Sequence, residues 1–151
     1  MHVVLVEPEI PQNAGSIARC CAATNAWLHL VQPYGFILED RYLKRAGLDY
    51  WPGVRLSVHA SWSALEPQLP AERTRLYSAR ATKTIWSDVT PEVPILIFGR
   101  ESTGLPTELT ERWPRHLVRI PTTDRVRSLN VATAVGIASY EVLRRSGFSP
   151  A

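Results

Sequence analysis

Cysteine is almost missing from this chain: Cys20 and Cys21 are the only two, and they are adjacent. Neighbouring residues cannot staple distant segments, so a disulfide framework or a cysteine zinc site within one chain is excluded. Both thiols are expected reduced and packed on a helix. No segment approaches the roughly 20 uninterrupted apolar residues that a membrane-spanning helix needs. The opening run from Met1 to Glu7 has no basic leader and no cleavage site, so no signal peptide is expected and a cytoplasmic location follows by default. Two phosphate-binding signatures are also missing. The first apolar run is not followed by Gly-x-Gly-x-x-Gly, and no Gly-Lys-Ser/Thr occurs, which argues against a nicotinamide dehydrogenase and a P-loop enzyme. No Ser–His–Asp arrangement stands out either. His2, His29, His59 and His116 fall on expected strands or their edges, where each reads as structural or exposed.

What is present fits one compact domain over residues 1–151. Apolar residues make up 45% and charged residues 21%, the balance of an ordinary globular protein able to bury a core without staples. The net charge of +3 tolerates a polyanionic partner without demanding one. The positive residues cluster: Arg41, Lys44 and Arg45; Arg112, Arg115 and Arg119; Arg125 and Arg127. A solvated surface explains these groups as well as a polyanionic partner does.

Strand and helix signals alternate along the whole chain. Val3 to Val6 is a continuous apolar run, as in a strand covered on both faces. Pro8 and Pro11 predict a non-helical loop, then a helix through about Thr24 capped by Asn13 or Ser16, with Ile17, Cys20, Cys21 and Thr24 on one side. Strands are expected at Trp27–Val31, Val54–Val58, Arg75–Ser78, Ile95–Phe98 and Leu117–Ile120. Helices are expected at Asp40–Ala46, at Ser61–Leu69 behind a Ser61 or Ser63 cap, at Pro106–Trp113 and from Ser128 to Arg145. This order predicts an α/β fold, a mainly parallel sheet with helices on both faces.

Three segments at the carboxyl ends of strands, where α/β sheets bind ligands, are rich in polar residues and glycine. They are Glu7 to Arg19, Phe98 to Pro106 and Ile120 to Asn130. Gly99 and Gly104 can bring backbone groups against a flat ligand because no Cβ intervenes. Glu101 between them could orient a hydroxyl or cation, or could sit at the following helix N-terminus, where a carboxylate is favoured. Ser128 is a natural N-cap, and Asn130 offers both a donor and acceptors.

Taken together, four segments resemble the SPOUT superfamily of RNA methyltransferases. The match is to its small single-domain branch, the TrmL/YibK-like group, which methylates the ribose 2′-hydroxyl of the tRNA wobble nucleotide. It rests on Glu7-Pro8-Glu9-Ile10-Pro11-x-Asn13-x-Gly15-x-Ile17-x-Arg19, on Lys44 to Tyr50, on Phe98-Gly99-x-Glu101-x-x-Gly104-Leu105-Pro106, and on Ile120-Pro121 through Arg127-Ser128-x-Asn130. It runs from Val3 to about Phe148. The sequence departs from the common pattern at Thr103, where an arginine often stands, and at 122–126, which lack the typical proline.

The resemblance implies a C-terminal trefoil knot, against the general rarity of knots. It implies S-adenosylmethionine as methyl donor, no metal, and a cofactor site formed by the loops 78–82, 99–104 and 120–130. The residues it places there are Ser78, Ala79, Gly99, Glu101, Gly104, Ile120, Ser128, Leu129 and Asn130. It implies Arg19 as leading catalytic residue, supported by Asn13, Glu101, Ser128 and Asn130, and tRNA contacts from Arg19, Lys44, Arg45 and Arg115. Tyr140 could approach cofactor or nucleotide, or serve core or interface equally well. A homodimer through the first and last helices is implied too, with Ala132, Ala134, Gly136 and Ala138 permitting close approach. Three rival readings remain: the same chemistry on ribosomal RNA or another tRNA position, a non-catalytic RNA-binding protein with this fold, and a generic α/β nucleotide-binding enzyme.

Overall fold

The computed structural model describes residues 1–36, 53–89, 92 and 94–147. Six parallel strands form one sheet: β1 (His2–Val6), β2 (Trp27–Val31), β3 (Arg55–His59), β4 (Thr74–Tyr77), β5 (Ile95–Phe98) and β6 (Leu117–Val118). Their order across the sheet is β3-β2-β1-β5-β4-β6. The apolar runs Val3 to Val6 and Ile95 to Phe98 are buried throughout, because the central strands β1 and β5 are covered on both faces.

Alternation assigns each strand residue to a face. On one face Val3, Leu5, Leu28, Leu30, Leu96 and Phe98 pack against helices α1 (Pro11–Ala23) and α4 (Val131–Arg145), through Ile17, Ala18, Cys21, Val135, Ala138 and Val142. On the other, Val4, Val6, Val31, Leu76, Ile95 and Ile97 meet Leu65 of α2 (Trp62–Leu65) and Leu109 of α3 (Thr107–Arg112). The expected α/β class, parallel sheet and two-sided helical cover are therefore present.

Several boundaries differ from expectation. Pro11 does not prolong the preceding loop but opens α1 at its first positions, where a missing N–H costs nothing. Neither Asn13 nor Ser16 caps that helix, since both lie inside it. Strand β3 lies one residue later than expected, and β4 one residue earlier. Ser61 does cap the next helix by accepting from the Ala64 amide. That helix stops at Leu65 and continues only as a 3-10 turn, Glu66–Gln68, because Pro67 lacks the amide for another α-helical bond. Strand β6 is two residues rather than four. The last helix begins at Val131, capped by Asn130 and not by Ser128. The helix expected over 40–46 lies outside the described residues.

The histidines prove structural. On the α2 side of the sheet, His2 Nδ1 stands 2.9 Å from His29 Nε2, and His29 Nδ1 stands 3.0 Å from His59 Nε2. A neutral imidazole carries one N–H, so His29 must donate through one nitrogen and accept through the other. Burial, and then the neighbouring imidazoles of His2 and His59, lower its pKa from the usual 6.5 to about 4. A group whose pKa falls on folding stabilises the native state above its unfolded value, and that contribution is lost as pH drops. Urea midpoints should therefore decline as pH falls from about 6.5 towards about 4. His29→Gln, which keeps a donor and an acceptor but cannot titrate, should flatten that decline; an unchanged slope would refute this role for the ladder.

Candidate functional site

At the carboxyl end of β1 the chain turns sharply, with Glu7 in the left-handed region at φ 52°. Such a conformation costs on the order of 1–3 kcal/mol in a non-glycine residue. Two contacts hold it: the Glu7 amide donates to the Val31 carbonyl at 2.9 Å, and its carboxylate pairs with Arg100 of the neighbouring loop. The next residues are locked to that loop reciprocally. Ser102 donates to the Glu9 carboxylate from its amide (2.9 Å) and its hydroxyl (2.8 Å). In return Glu101 accepts from the amides of Glu9 (2.8 Å) and Ile10 (3.2 Å) and from Asn13 Nδ2 (3.1 Å).

The Glu101 carboxylate thus sits at a helix N-terminus, but at that of α1 rather than of the helix that follows it in sequence. The N-cap position of α1 is Ile10, which has no side-chain acceptor of its own. Glu101 supplies a negative charge there, where the exposed amides and helix dipole favour one.

The loop bearing Glu101 closes on itself. Arg100 and Gly104 exchange backbone hydrogen bonds of 3.0 and 2.8 Å, with Gly104 at φ +75°. A Cβ on Gly99 would stand 2.2 Å from the Gly104 carbonyl carbon and from the Leu105 nitrogen. The missing side chain of Gly99 therefore makes room for the loop's own backbone. At Gly104 a Cβ would meet nothing within 4 Å, so that side of the loop is open.

The third loop joins the same network. Ile120, Pro121 and Leu129 are half-buried, whereas Thr122 to Ser128 are exposed. Asn130 Oδ1 caps α4 by accepting from the amides of Ala132 (2.9 Å) and Thr133 (3.2 Å), and its Nδ2 donates to Asn13 Oδ1 at 3.0 Å. A continuous polar chain therefore runs from Glu101 through Asn13 to Asn130, linking all three strand-end segments. Asn130→Ala should lose both functions, costing about 1 kcal/mol for the cap alone. Asn130→Asp keeps the acceptor for the helix but loses the donor to Asn13. Comparison of their thermal melts separates cap from link, and wild-type stability in Asn130→Asp would deny the link any weight.

The segment after β4 lies alongside. The Ser78 amide donates to the Val118 carbonyl at 3.0 Å, and Ser78 accepts from the amide of Ala81 at its carbonyl (3.1 Å) and of Arg80 at its hydroxyl (3.3 Å). Ala79 is exposed. Since β5, β4 and β6 are neighbours, the loops 78–82, 99–104 and 120–130 leave adjoining strand ends.

Of the remaining expected residues, Arg19 is exposed on α1, six residues and about 9 Å of helix axis beyond Asn13. Ser128 is exposed two residues before the Asn130 cap, and Tyr140 is exposed on α4. Arg115 is not brought to the loops: it lies in the 3-10 turn that enters β6 from the amino end. Lys44 and Arg45 lie outside the described residues. Glu9 and Ser102 have partners that no sequence spacing announces, because they are 93 residues apart. No group of His, Cys, Asp or Glu suited to a metal ion occurs among the described residues, nor does any helix there have the length and apolarity to cross a membrane.

Residues 1–140 match the model of the SpoU rRNA methylase family. The chain is 39% identical over 150 residues to the tRNA (cytidine(34)-2′-O)-methyltransferase of Methylovorus glucosotrophus, covering 99% of this chain and 97% of the relative. It is 41% identical over 149 residues to the protein of the same name from Saccharophagus degradans, covering 98% and 97%. A solved structure concerned with 2-OH methylation of C/U34 on tRNA superposes with a TM-score of 0.89 at 48% identity, over 97% of this chain and 95% of the other. An AdoMet-bound rRNA methyltransferase from Sinorhizobium meliloti superposes at 0.83 with 25% identity, over 95% of this chain and 56% of that longer one. By a family match over nearly its whole length and by relatives of this similarity, the chain belongs to the SpoU rRNA methylase family.

Proposed function

We propose that this chain transfers a methyl group from S-adenosylmethionine to the ribose 2′-oxygen of nucleotide 34 in tRNA. The reading is carried by one observation: in a chain about 40% identical to tRNA (cytidine(34)-2′-O)-methyltransferases, the three strand-end loops interlock through Glu101, Asn13 and Asn130. The open side of Gly104 and the exposed stretch 122–128 fit a donor lying against backbone. Bound there, S-adenosylmethionine would supply a methyl group activated by its own sulfonium charge, so the chemistry calls for alignment and for removal of the 2′-hydroxyl proton, with the thioether as leaving group.

Ser78, Ala79, Gly99, Gly104, Ile120, Ser128 and Leu129 line the donor site in this reading. Glu101, Asn13 and Asn130 fix the loops relative to one another. Arg19 binds the RNA phosphate and holds the ribose: a guanidinium stays protonated and is suited to forked phosphate contacts. Alignment of this kind can be worth roughly 7–11 kcal/mol of barrier. The trefoil knot belongs to the same reading. It is supported by β6 at the sheet edge, by the return of the chain to pack α4 on α1, and by Arg127 Nη2 reaching the Ser102 carbonyl at 3.5 Å on the way.

One catalytic domain over 1–151 forms, in this reading, a cytoplasmic homodimer through α1 and α4. Ile137 and Tyr140, 40% and 56% exposed on α4, support a partner there. In this reading tRNA capture falls to Arg19 and to the basic residues Lys44, Arg45 and Arg115. Their phosphate contacts should weaken steeply between low and moderate salt, and a flat response in a filter-binding titration would contradict them. The function itself is tested by incubating the protein with labelled S-adenosylmethionine and total RNA. Ribose label at nucleotide 34 is expected; label confined to ribosomal RNA or to another tRNA position would redirect the reading, and no transfer would refute it.

A further inference from the structure

Away from the three loops, a buried ionic cluster joins β4, the segment after it and the far end of α4. Asp88 is buried, pairing with Arg75 Nε at 2.7 Å and with Lys83 Nζ. Arg75 also donates to the carbonyls of Thr74 (2.9 Å), Glu72 (3.2 Å) and Val89 (2.9 Å). From the last turn of α4, Arg145 donates to the carbonyls of Ile85 (2.6 Å), Trp86 (3.1 Å) and Asp88, while Glu141 accepts from its Nε at 2.6 Å. Backbone bonds of 2.8 and 2.9 Å tie Lys83 and Ile85 to Arg119, beyond β6.

We propose that Asp88, Arg75 and Arg145 form a clamp that sets the position of the 78–82 loop, which makes them positioning residues for methyl-donor binding. Segment 83–89 follows that loop directly, so fixing one fixes the exit of the other. The effort spent on it is otherwise hard to explain. Two arginines satisfy six carbonyls, four of them in residues 85–89, and a buried carboxylate, and so hold a short irregular stretch whose own Trp86 and Val89 are 70% and 80% exposed. Ile85 is the segment's one buried apolar side chain, so the stretch contributes little to the core. Helix α4 then acts as a strut: Asn130 at one end ties the 120–130 loop to Asn13, and Arg145, about 22 Å of helix away, ties down the exit of the 78–82 loop.

The inference rests on the donor-site reading above, and its test separates the two. In the full chain, Asp88→Asn, Arg145→Gln and Arg145→Lys are compared with Val142→Ala, a core truncation on the same helix that leaves the clamp intact. S-adenosylmethionine affinity is read by calorimetry, kcat and KM on a tRNA transcript, and hydrogen exchange at the amides of Arg80 and Ala81. Asp88→Asn and Arg145→Gln should raise Kd and KM for the donor by about tenfold or more at nearly unchanged kcat, and should speed exchange at 80 and 81. Arg145→Lys should recover part of both effects. Val142→Ala should lower the melting temperature with affinity and exchange at 80–81 unchanged. Wild-type affinity and exchange in Asp88→Asn and Arg145→Gln would overturn the clamp, as would equal effects from Val142→Ala. Failure of the unmodified protein to bind the donor would overturn the donor-site reading, while the exchange rates at 80 and 81 would still decide whether the clamp positions that loop.

Discussion

Arg19→Ala is expected to abolish methyl transfer to tRNA while S-adenosylmethionine still binds with unchanged affinity. Arg19 is exposed on α1, and the loops proposed to line the donor site are held by other residues, chiefly Glu101, Asn13 and Asn130. In the proposed reading, removing the guanidinium leaves those loops in place and takes away the group that orients the ribose. Loss of reacting geometry by about 1 Å can cost roughly 10²-fold in rate, and loss of a phosphate contact adds to this. Arg19→Lys keeps the charge but not the fork, so it should recover binding of tRNA better than turnover. Single-turnover rates at saturating donor, set beside a calorimetric titration of the donor, check both halves. Unchanged turnover in Arg19→Ala removes it from the mechanism, and a large loss of donor affinity reassigns it to the donor pocket.

Gly99→Ala should be the most damaging of the small substitutions. The added methyl would lie 2.2 Å from two backbone atoms of Gly104 and Leu105, and backbone cannot swing aside as a flexible side chain can. Either the 99–105 loop opens or β5 shifts at its end, and both disturb Glu101 and through it the start of α1. Overpacking of a tight site typically costs about 1–3 kcal/mol, and this one should reach the top of that range or pass it. Gly104→Ala is the matched control. Its methyl enters open space, and only the left-handed backbone at φ +75° is penalised, by roughly 1–2 kcal/mol. Gly99→Ala should thus lose donor binding together with a large drop in melting temperature, whereas Gly104→Ala, whose methyl enters the proposed donor space, should weaken donor binding with only a moderate drop. Near-native melting and donor affinity in Gly99→Ala would show that the loop is not closed as described.

The sheet was legible in the sequence because its signal is local. Val3 to Val6 and Ile95 to Phe98 are apolar without alternation, and only strands covered on both faces tolerate that. The strand and helix order followed from the same reasoning, with boundaries shifted wherever a cap or a proline decided them. Pro11 shows why: the same residue that breaks a helix interior is at home in its first turn. Asn130 and Ser128 are both good caps by type, and only the link from Asn130 to Asn13 selects between them.

The site was legible as three segments and not as a network. Glu101 looked as though it faced a ligand or the next helix, yet its oxygens accept from Glu9, Ile10 and Asn13, some 90 residues upstream. Glu9 and Ser102, Glu7 and Arg100, and the clamp around Asp88 were invisible for the same reason. Pairing across the sheet is set by strand order, and β1 lies beside β5 for reasons that no periodicity within either strand can convey.

The most direct measurement uses tRNA transcripts that differ by one oxygen. A transcript with 2′-deoxyribose at nucleotide 34 removes the proposed acceptor and leaves base and phosphates unchanged; a second transcript carries the same change at a neighbouring nucleotide of the anticodon loop. With labelled S-adenosylmethionine, the first should accept no methyl group while competing normally for binding, and the second should be methylated like the all-ribose transcript. Methyl incorporation into the 34-deoxy transcript would contradict ribose methylation at that nucleotide.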